Sequence, residues 1–523
     1  MIRNKRKFLI VLSVLIGIVA LVGVSYALWI ANFNQTDENL VSASCFQIEF
    51  REDTESISLQ NTFPITDEEG KTLTPYTFTI TNTCESYASY QVNLEVLNTS
   101  TLTHYEYIKV ALEDDISLLS DNDTVNTTLD NATTSFKLKT GYLDHNESVT
   151  YNLRLWIDEN VTLESEGILN TTFASKITIT ASYIDHMPSA YEQCVDKYGE
   201  DSIQCSILAD ADTEGCPTVN DDGTVQVTSG ESTNGYLCSA PDDYGTSYYY
   251  RGNVENNWVK FGGYYWRILR INGDGSIRMI YAGDASVIDA LSNKSDILKN
   301  GYNDGSTDYT QIGTSRYNSR SDNNAYVGYM YGTPGSTTYE ATHANTNDST
   351  VKTYLDNWYK INIEDKGLSS YVSDTLFCND RSVFSGTGIG TSYTQYRWSS
   401  SSNGIRLTCS NQNDRFTVDD EETGNGDLTY PIGLVNTDEV YLVGGHNYTN
   451  YGYYLYTGNE YWTMSPNYFT GSNATVRFVY SNSYASDNYY VGSSSGVRPV
   501  INLKANSLTS GDGTANNPYV VEG

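Results

Sequence analysis

Gly492-Ser493-Ser494-Ser495-Gly496 carries the letters of a hydrolase nucleophile elbow. That chemistry needs a strand before the serine and a helix after it, so that the hydroxyl stands on a strained turn. Here Val497-Arg498-Pro499-Val500-Ile501 follows and reads as a strand, so the serine is not expected to act. Gly386-Thr387-Gly388-Ile389-Gly390 falls short of a dinucleotide fingerprint, and no helical pattern follows to receive a pyrophosphate. The five histidines, His104, His145, His186, His343 and His446, are scattered, and none stands at ligand spacing from another. Asp210-Ala211-Asp212 and Asp419-Asp420-Glu421-Glu422 offer oxygens that suit calcium, but neither is an EF-hand loop, and both read as solvated acidic turns. No catalytic residue, metal ligand or cofactor is expected.

The side chains best suited to recognition are aromatic. Tyrosine is unusually frequent at 45 residues, and Tyr, Ser, Asn and Gly dominate the C-terminal half. Such residues make adaptable contact surfaces. Tyr248-Tyr249-Tyr250, Tyr451 to Tyr456 and Tyr484 to Tyr490 concentrate them. A flat apolar face with a polar edge suits sugar rings and protein hot spots alike. The expected ligand-binding residues are Tyr453, Tyr454, Tyr456 and Trp462. Tyr453 and Tyr454 are adjacent, so in a strand one should point inward and the other outward.

Three units must position these residues. In the first, Ala31 to Asp185, apolar residues alternate with polar ones. Tyr76, Phe78 and Ile80 do so, as do Tyr90, Val92, Leu94 and Val96, then Tyr151, Leu153, Leu155 and Ile157, then Ile177, Ile179, Ala181 and Tyr183. Period two marks half-buried strands, and several of them without a long helix predict a β-sandwich. The second unit, His186 to Tyr250, is a Cys-rich connector with helical spacing over Pro188–Leu208. The third, Arg251 to Gly523, is α+β. Tyr264–Ile271, the turn Asn272-Gly273-Asp274-Gly275 and Ser276–Tyr281 predict a hairpin. A helix is expected at Val351–Lys360, and strands at Val440–Val443, Thr475–Tyr480 and Val497–Leu503, with long polar loops between.

Composition narrows the compartment and the partners. Thirty-one basic residues against 64 acidic ones give a net charge of −33, which repels nucleic acid. Arg3, Lys5, Arg6 and Lys7 precede an apolar run from Phe8 to Val24, and Ser25-Tyr26-Ala27 offers a cleavage site after Ala27. The stretch 1–30 fits a signal peptide, or a retained transmembrane helix that would tie the protein to the membrane. In either case the bulk of the chain is exported. The eight cysteines, Cys45, Cys84, Cys194, Cys205, Cys216, Cys238, Cys378 and Cys409, agree with an oxidising compartment. Sequence does not fix which of them pair.

The N-terminal unit resembles the exported β-sandwich family that includes camelysin and the biofilm-fibre protein TasA. The resemblance rests on the signal helix, Tyr26-Ala27-Leu28-Trp29, Asn39 to Phe50, Trp156-Ile157-Asp158 and Ile177-Thr178-Ile179. It implies a surface protein and leaves room for a fibre subunit. Camelysin's metalloprotease activity does not carry over, because no zinc signature is present. The C-terminal unit resembles a bacterial C-type-lectin-like domain distantly similar to formylglycine-generating enzymes. It does so through Tyr265-Trp266-Arg267-Ile268, Trp462-Thr463-Met464-Ser465-Pro466 and Gly496-Val497-Arg498-Pro499-Val500-Ile501-Asn502-Leu503. Those enzymes bind copper through two nearby cysteines, whereas Cys378 and Cys409 lie far apart in sequence, which favours a structural bridge. The pairing expected is Cys45–Cys84, Cys378–Cys409, and the connector cysteines among themselves. The combined expectation is a secreted or cell-surface adhesion protein with a lectin-like head for an extracellular glycan or protein. A fibre subunit and a copper oxidase are the alternatives.

Overall fold

The computed structural model describes residues 46–50, 64–113, 115–162, 164–168, 171–211, 215–227, 235–291, 309–399, 404–446, 452–481 and 485–521. The stretch 1–30, Cys45, Tyr451 and Tyr484 lie outside them. The chain forms two compact units, Met1–Pro188 and Ser189–Gly523.

Among the described residues, the first unit holds nine strands: β1 Phe46–Phe50, β2 Tyr76–Asn82, β3 Ala88–Leu97, β4 Ile108–Leu112, β5 Asp115–Leu118, β6 Thr124–Val125, β7 Ala132–Leu143, β8 Ser148–Ile157 and β9 Ser175–Tyr183. They make two antiparallel sheets, ordered β1-β2-β8-β4-β5 and β6-β7-β3-β9. The alternation read from the sequence sets the inner faces. Phe78, Ile80, Val92, Leu94, Leu153, Leu155, Ile177 and Ile179 share one buried cluster. A 2.7 Å hydrogen bond joins the hydroxyls of Tyr90 and Tyr151 across it. Tyr183 breaks the pattern at the end of β9 and is 63% exposed. The buried Glu95 carboxylate accepts from the backbone N–H groups of Thr128 and Leu129 and from the hydroxyls of Thr128 and Thr178. That satisfies a buried charge which would otherwise be costly.

The second unit is β-rich with short helices. Its first large sheet contains Tyr236–Asp242, Gly245–Arg251, Tyr264–Ile271, Trp258–Phe261, Ile277–Asp284 and Val500–Leu503. The second contains Thr314–Arg316, Ser494–Gly496, Tyr461–Phe469, Thr394–Tyr396, Val383–Ser385, Ala474–Val479 and Ala485–Tyr490. The predicted hairpin is present, with Tyr264–Ile271 paired to Ile277–Asp284. The predicted helix runs from Thr350 to Tyr359, capped by the Ser349 hydroxyl.

Two expectations are corrected here. The connector His186–Tyr250 is not a separate unit. Gly245–Arg251 pairs with Tyr264–Ile271, and Cys194, Cys205, Ile207 and Leu208 belong to the same buried cluster as the rest of the head. Its helical stretch is two helices, Ala190–Tyr198 and Ile203–Leu208, broken at Gly199, where φ is +86°. Val440–Val443 is not a strand but lies in the helix Thr437–Val443. Asn436 and Glu439 form a capping box that starts it, and every residue in it is buried, so no period is visible in the sequence.

Three disulfides tie this unit: Cys194–Cys205, Cys216–Cys238 and Cys378–Cys409. They match the pairing expected for these six cysteines. Cys84 is disulfide-bonded, and its expected partner Cys45 lies outside the described residues. Such bonds fit an oxidising, extracytoplasmic environment. Among the described residues, no helix is long and apolar enough to cross a membrane.

Candidate functional site

Of the four expected ligand-binding residues, Tyr453, Tyr454 and Trp462 are core. Trp462 is fully buried, its indole N–H donates to the Ser315 carbonyl, and its ring meets Tyr317 edge-on. Tyr453 and Tyr454 are both buried, and Tyr456 is half-buried against the same cluster. The in-out alternation expected for Tyr453 and Tyr454 fails because the segment is a turn, closed by the Tyr456 N–H on the Tyr453 carbonyl. Tyr454 instead lies 4.9 Å beneath the guanidinium of Arg267. Arg267 is itself buried. Its donors go to the Asn257 side chain and the Val254 carbonyl, and burial pulls its pKa down to about 9.

Other aromatics are exposed, among them Tyr490 at 50% in the tyrosine-rich stretch Tyr484 to Tyr490. Phe384 is 50% exposed and Tyr393 is 55% exposed, and both belong to the hairpin formed by Val383–Ser385 and Thr394–Tyr396. Val383 faces Tyr396 and Ser385 faces Gln395, which leaves Phe384 as the extra residue of a β-bulge. A bulge re-aims the side chain it carries. Between the arms runs Gly386-Thr387-Gly388-Ile389-Gly390, with φ of +95°, +69° and +55° at the three glycines. Residues with a Cβ rarely adopt those angles, so the glycine spacing serves the turn.

This loop is held from below. The buried Asn324 side chain donates to the carbonyls of Ile389, Gly390 and Ser392 at 3.2, 3.1 and 2.8 Å. Its Oδ1 accepts the Tyr396 hydroxyl at 2.9 Å. The Asn324 backbone N–H adds a 2.9 Å bond to the Gly390 carbonyl. The Gly388 N–H donates to the Thr394 hydroxyl, and the Gly388 carbonyl lies 2.9 Å from His343 Nε2. Burial pushes the His343 pKa down to about 3, with the Arg381 charge adding to the effect. The imidazole is therefore neutral and can donate to that carbonyl. Tyr339 packs on Gly388 and meets the His343 ring at a tilt, 4.4 Å between centroids, its hydroxyl donating to the Arg381 carbonyl. Arg381, fully buried, grips Asp414 through Nε and donates to the carbonyls of Met330, His343 and Asn413. The loop is thus a rigid platform with two outward aromatic rings.

Ser494 and Ser495 sit in the strand Ser494–Gly496, paired with Thr314–Arg316, not on an elbow. Cys378 and Cys409 are adjacent in space but joined, and in that state neither sulfur is a thiolate that could hold copper. Asp420 caps its own acidic turn by accepting from the N–H groups of Glu422 and Thr423. Among the described residues, no group of three or more His, Cys, Asp or Glu is placed to hold a metal ion.

No family model matches the chain, and no curated protein does. Three solved structures show slight similarity. One is described as "AvmM Catalyzes Macrocyclization in Alchivemycin A Biosynthesis", with 13% identity over 31% of this chain and 98% of that one, at a TM-score of 0.15. The others are selenomethionine-labelled β-glucosidase from Kluyveromyces marxianus and the same enzyme with glucose. They show 12% and 10% identity, cover 29% and 34% of this chain and 18% and 20% of theirs, and have TM-scores of 0.12. Likeness at this level carries no argument about fold or function.

Proposed function

We propose that this chain is an exported, non-catalytic binding protein whose head engages an extracellular glycan or protein. The observation that carries the reading is the Phe384/Tyr393 hairpin, two outward rings on a loop pinned by buried Asn324 and His343. A pre-ordered loop loses little entropy on binding, and aromatic rings supply contact area with few rotatable bonds. The C-type-lectin-like resemblance of the head fits this reading, since such a plan holds variable loops on a stable base. The experiment is a glycan and protein array probed with the full exported chain and with the Phe384→Ala/Tyr393→Ala variant. Binding that is lost in the variant while the melting temperature holds supports the proposal. Equal binding by both proteins would sink it.

A fibre subunit is the second reading. Among the described residues, the nine-residue β9 pairs only with β3 and ends on the exposed Tyr183. A long unpaired edge is a template for another strand. Electron micrographs of the purified protein over a concentration series would reveal polymers if this edge assembles copies.

A further inference from the structure

A cleft of about 310 Å³ opens between the turn that joins the two disulfide-linked helices and the segment after Val500–Leu503. It is lined by Tyr198, Ile203 and Leu508 on the apolar side and by Glu200, Asp201, Ser202, Asn506 and Thr509 on the polar side. We propose that this cleft is a subsite for a single neutral sugar ring.

The volume lies at the small end of ligand clefts, which span about 300–1,000 Å³, so one ring fits better than a chain. An aromatic wall beside aliphatic carbons suits the C–H face of a sugar. The polar wall offers what hydroxyls need. Carboxylates are acceptor-only, with room for two hydroxyl donors, and a carboxamide donates and accepts. Glu200 and Asp201 are exposed, and no hydrogen bond or ion pair engages their carboxylates among the described residues. Asn506 spends its Oδ1 on the Ser202 hydroxyl and its backbone N–H on Gln204 Oε1. That bond turns the Asn506 amide N–H₂ toward a role as donor. The ammonium of Lys197, 5.2 Å over the Tyr198 ring, offsets one of the two carboxylate charges of Glu200 and Asp201.

The wall is also braced. Its residues 198–203 lie inside the loop closed by Cys194–Cys205. Ser202 accepts from the Cys205 N–H, and Gln204 donates to the Gly275 carbonyl. None of these residues belongs to the aromatic hairpin, so this proposal stands or falls separately from that one.

The test is saturation-transfer NMR and calorimetry on the full chain. The probes are glucose, galactose, mannose and N-acetylglucosamine, with choline as a cationic arm. Binding of at least one neutral sugar is expected, weakened about tenfold by Asp201→Asn and by Asn506→Ala, the size of one lost hydrogen bond. Asp201 is exposed, so Asp201→Asn should melt with the wild type, whereas Asn506 stands at φ +54° and holds the Ser202 hydroxyl, so Asn506→Ala should also lower the melting temperature. The Phe384→Ala/Tyr393→Ala variant should bind the sugar unchanged. No sugar binding, binding by choline alone, binding untouched by both cleft variants, or binding lost in the hairpin variant would each overturn the proposal.

Discussion

Replacing Asn324 with alanine should loosen the 386–392 loop by an amount the geometry sets. A carboxamide nitrogen carries two donors, so the carbonyls of Ile389, Gly390 and Ser392 share two bonds between them. The Tyr396 hydroxyl supplies a third bond to Oδ1. At about 1 kcal/mol each, these come to about 3 kcal/mol. Tyr396 is fully buried and would keep only a longer, 3.4 Å contact with the Asn324 carbonyl, so stranding its hydroxyl adds about 1–2 kcal/mol. The Asn324 backbone bond to Gly390 survives the change. The opening free energy of the loop should therefore fall by about 4–5 kcal/mol, well over a hundredfold in the open population. The assay is amide hydrogen exchange followed at Gly388, whose N–H donates to the Thr394 hydroxyl. Exchange there should quicken by well over a hundredfold, while amides of β3 in the first unit stay unchanged. Asn324→Asp should be worse than alanine, because it turns an acceptor toward the three carbonyls. If Gly388 exchanges at the wild-type rate in Asn324→Ala, the loop is not held by this side chain, and the rigid-platform argument fails.

Trp462→Ala should cost about 3–5 kcal/mol, as for other buried aromatics, and chemical denaturation would show whether that residue is core or surface. Phe384→Ala and Tyr393→Ala should each shift stability by about 0.5 kcal/mol or less, as for exposed positions, read from the same curves. His343, depressed to about 3 in the fold against 6.5 unfolded, makes the unfolded state bind more protons between those values. Its contribution is thus complete above pH 6.5 and is lost as pH falls toward 3. His343→Gln should flatten the slope of melting temperature against pH in that window, and an unchanged slope would refute the assignment. Removing Cys378–Cys409 by a double alanine substitution should cost about 3–4 kcal/mol for a loop of 31 residues, measured against the wild type under non-reducing conditions.

The first unit was legible because its strands are half-buried. Period two survives wherever one face meets the core and the other lies nearer water, and Tyr76 to Ile80 and Tyr151 to Leu155 show it. The head hid its elements because both faces are covered. Tyr265 to Ile271 is buried without interruption, and so is Thr437–Val443, so neither shows the alternation or helical period of a half-buried element. The capping box at Asn436 and Glu439 was the local signal that separated them. Glu439 also receives Arg270 and Arg278, so a helix-start residue doubles as the anchor of a buried charge cluster. Nothing in a one-dimensional pattern displays that second duty.

The site shows the same limit from the other side. Tyrosine-rich stretches mark contact surfaces only when the backbone leaves the rings outside, and at Tyr453 and Tyr454 a turn carries both rings inward. Phe384 and Tyr393 sit in a poorer aromatic neighbourhood, yet both rings are exposed. What marks them is the Gly386-Thr387-Gly388-Ile389-Gly390 run between them. Judged as a phosphate loop, it fails for want of a helix; judged as a hairpin tip, its three left-handed glycines are the requirement of the turn. A glycine at every second position of a short loop cannot pack side chains of its own, so the loop must be held by residues from elsewhere. Asn324 and His343 do this from sequence positions more than 40 residues away. Surface aromatics that flank a glycine-rich tip are therefore better candidates for recognition than the densest run of tyrosines, because the tip exposes them and the pins keep them still.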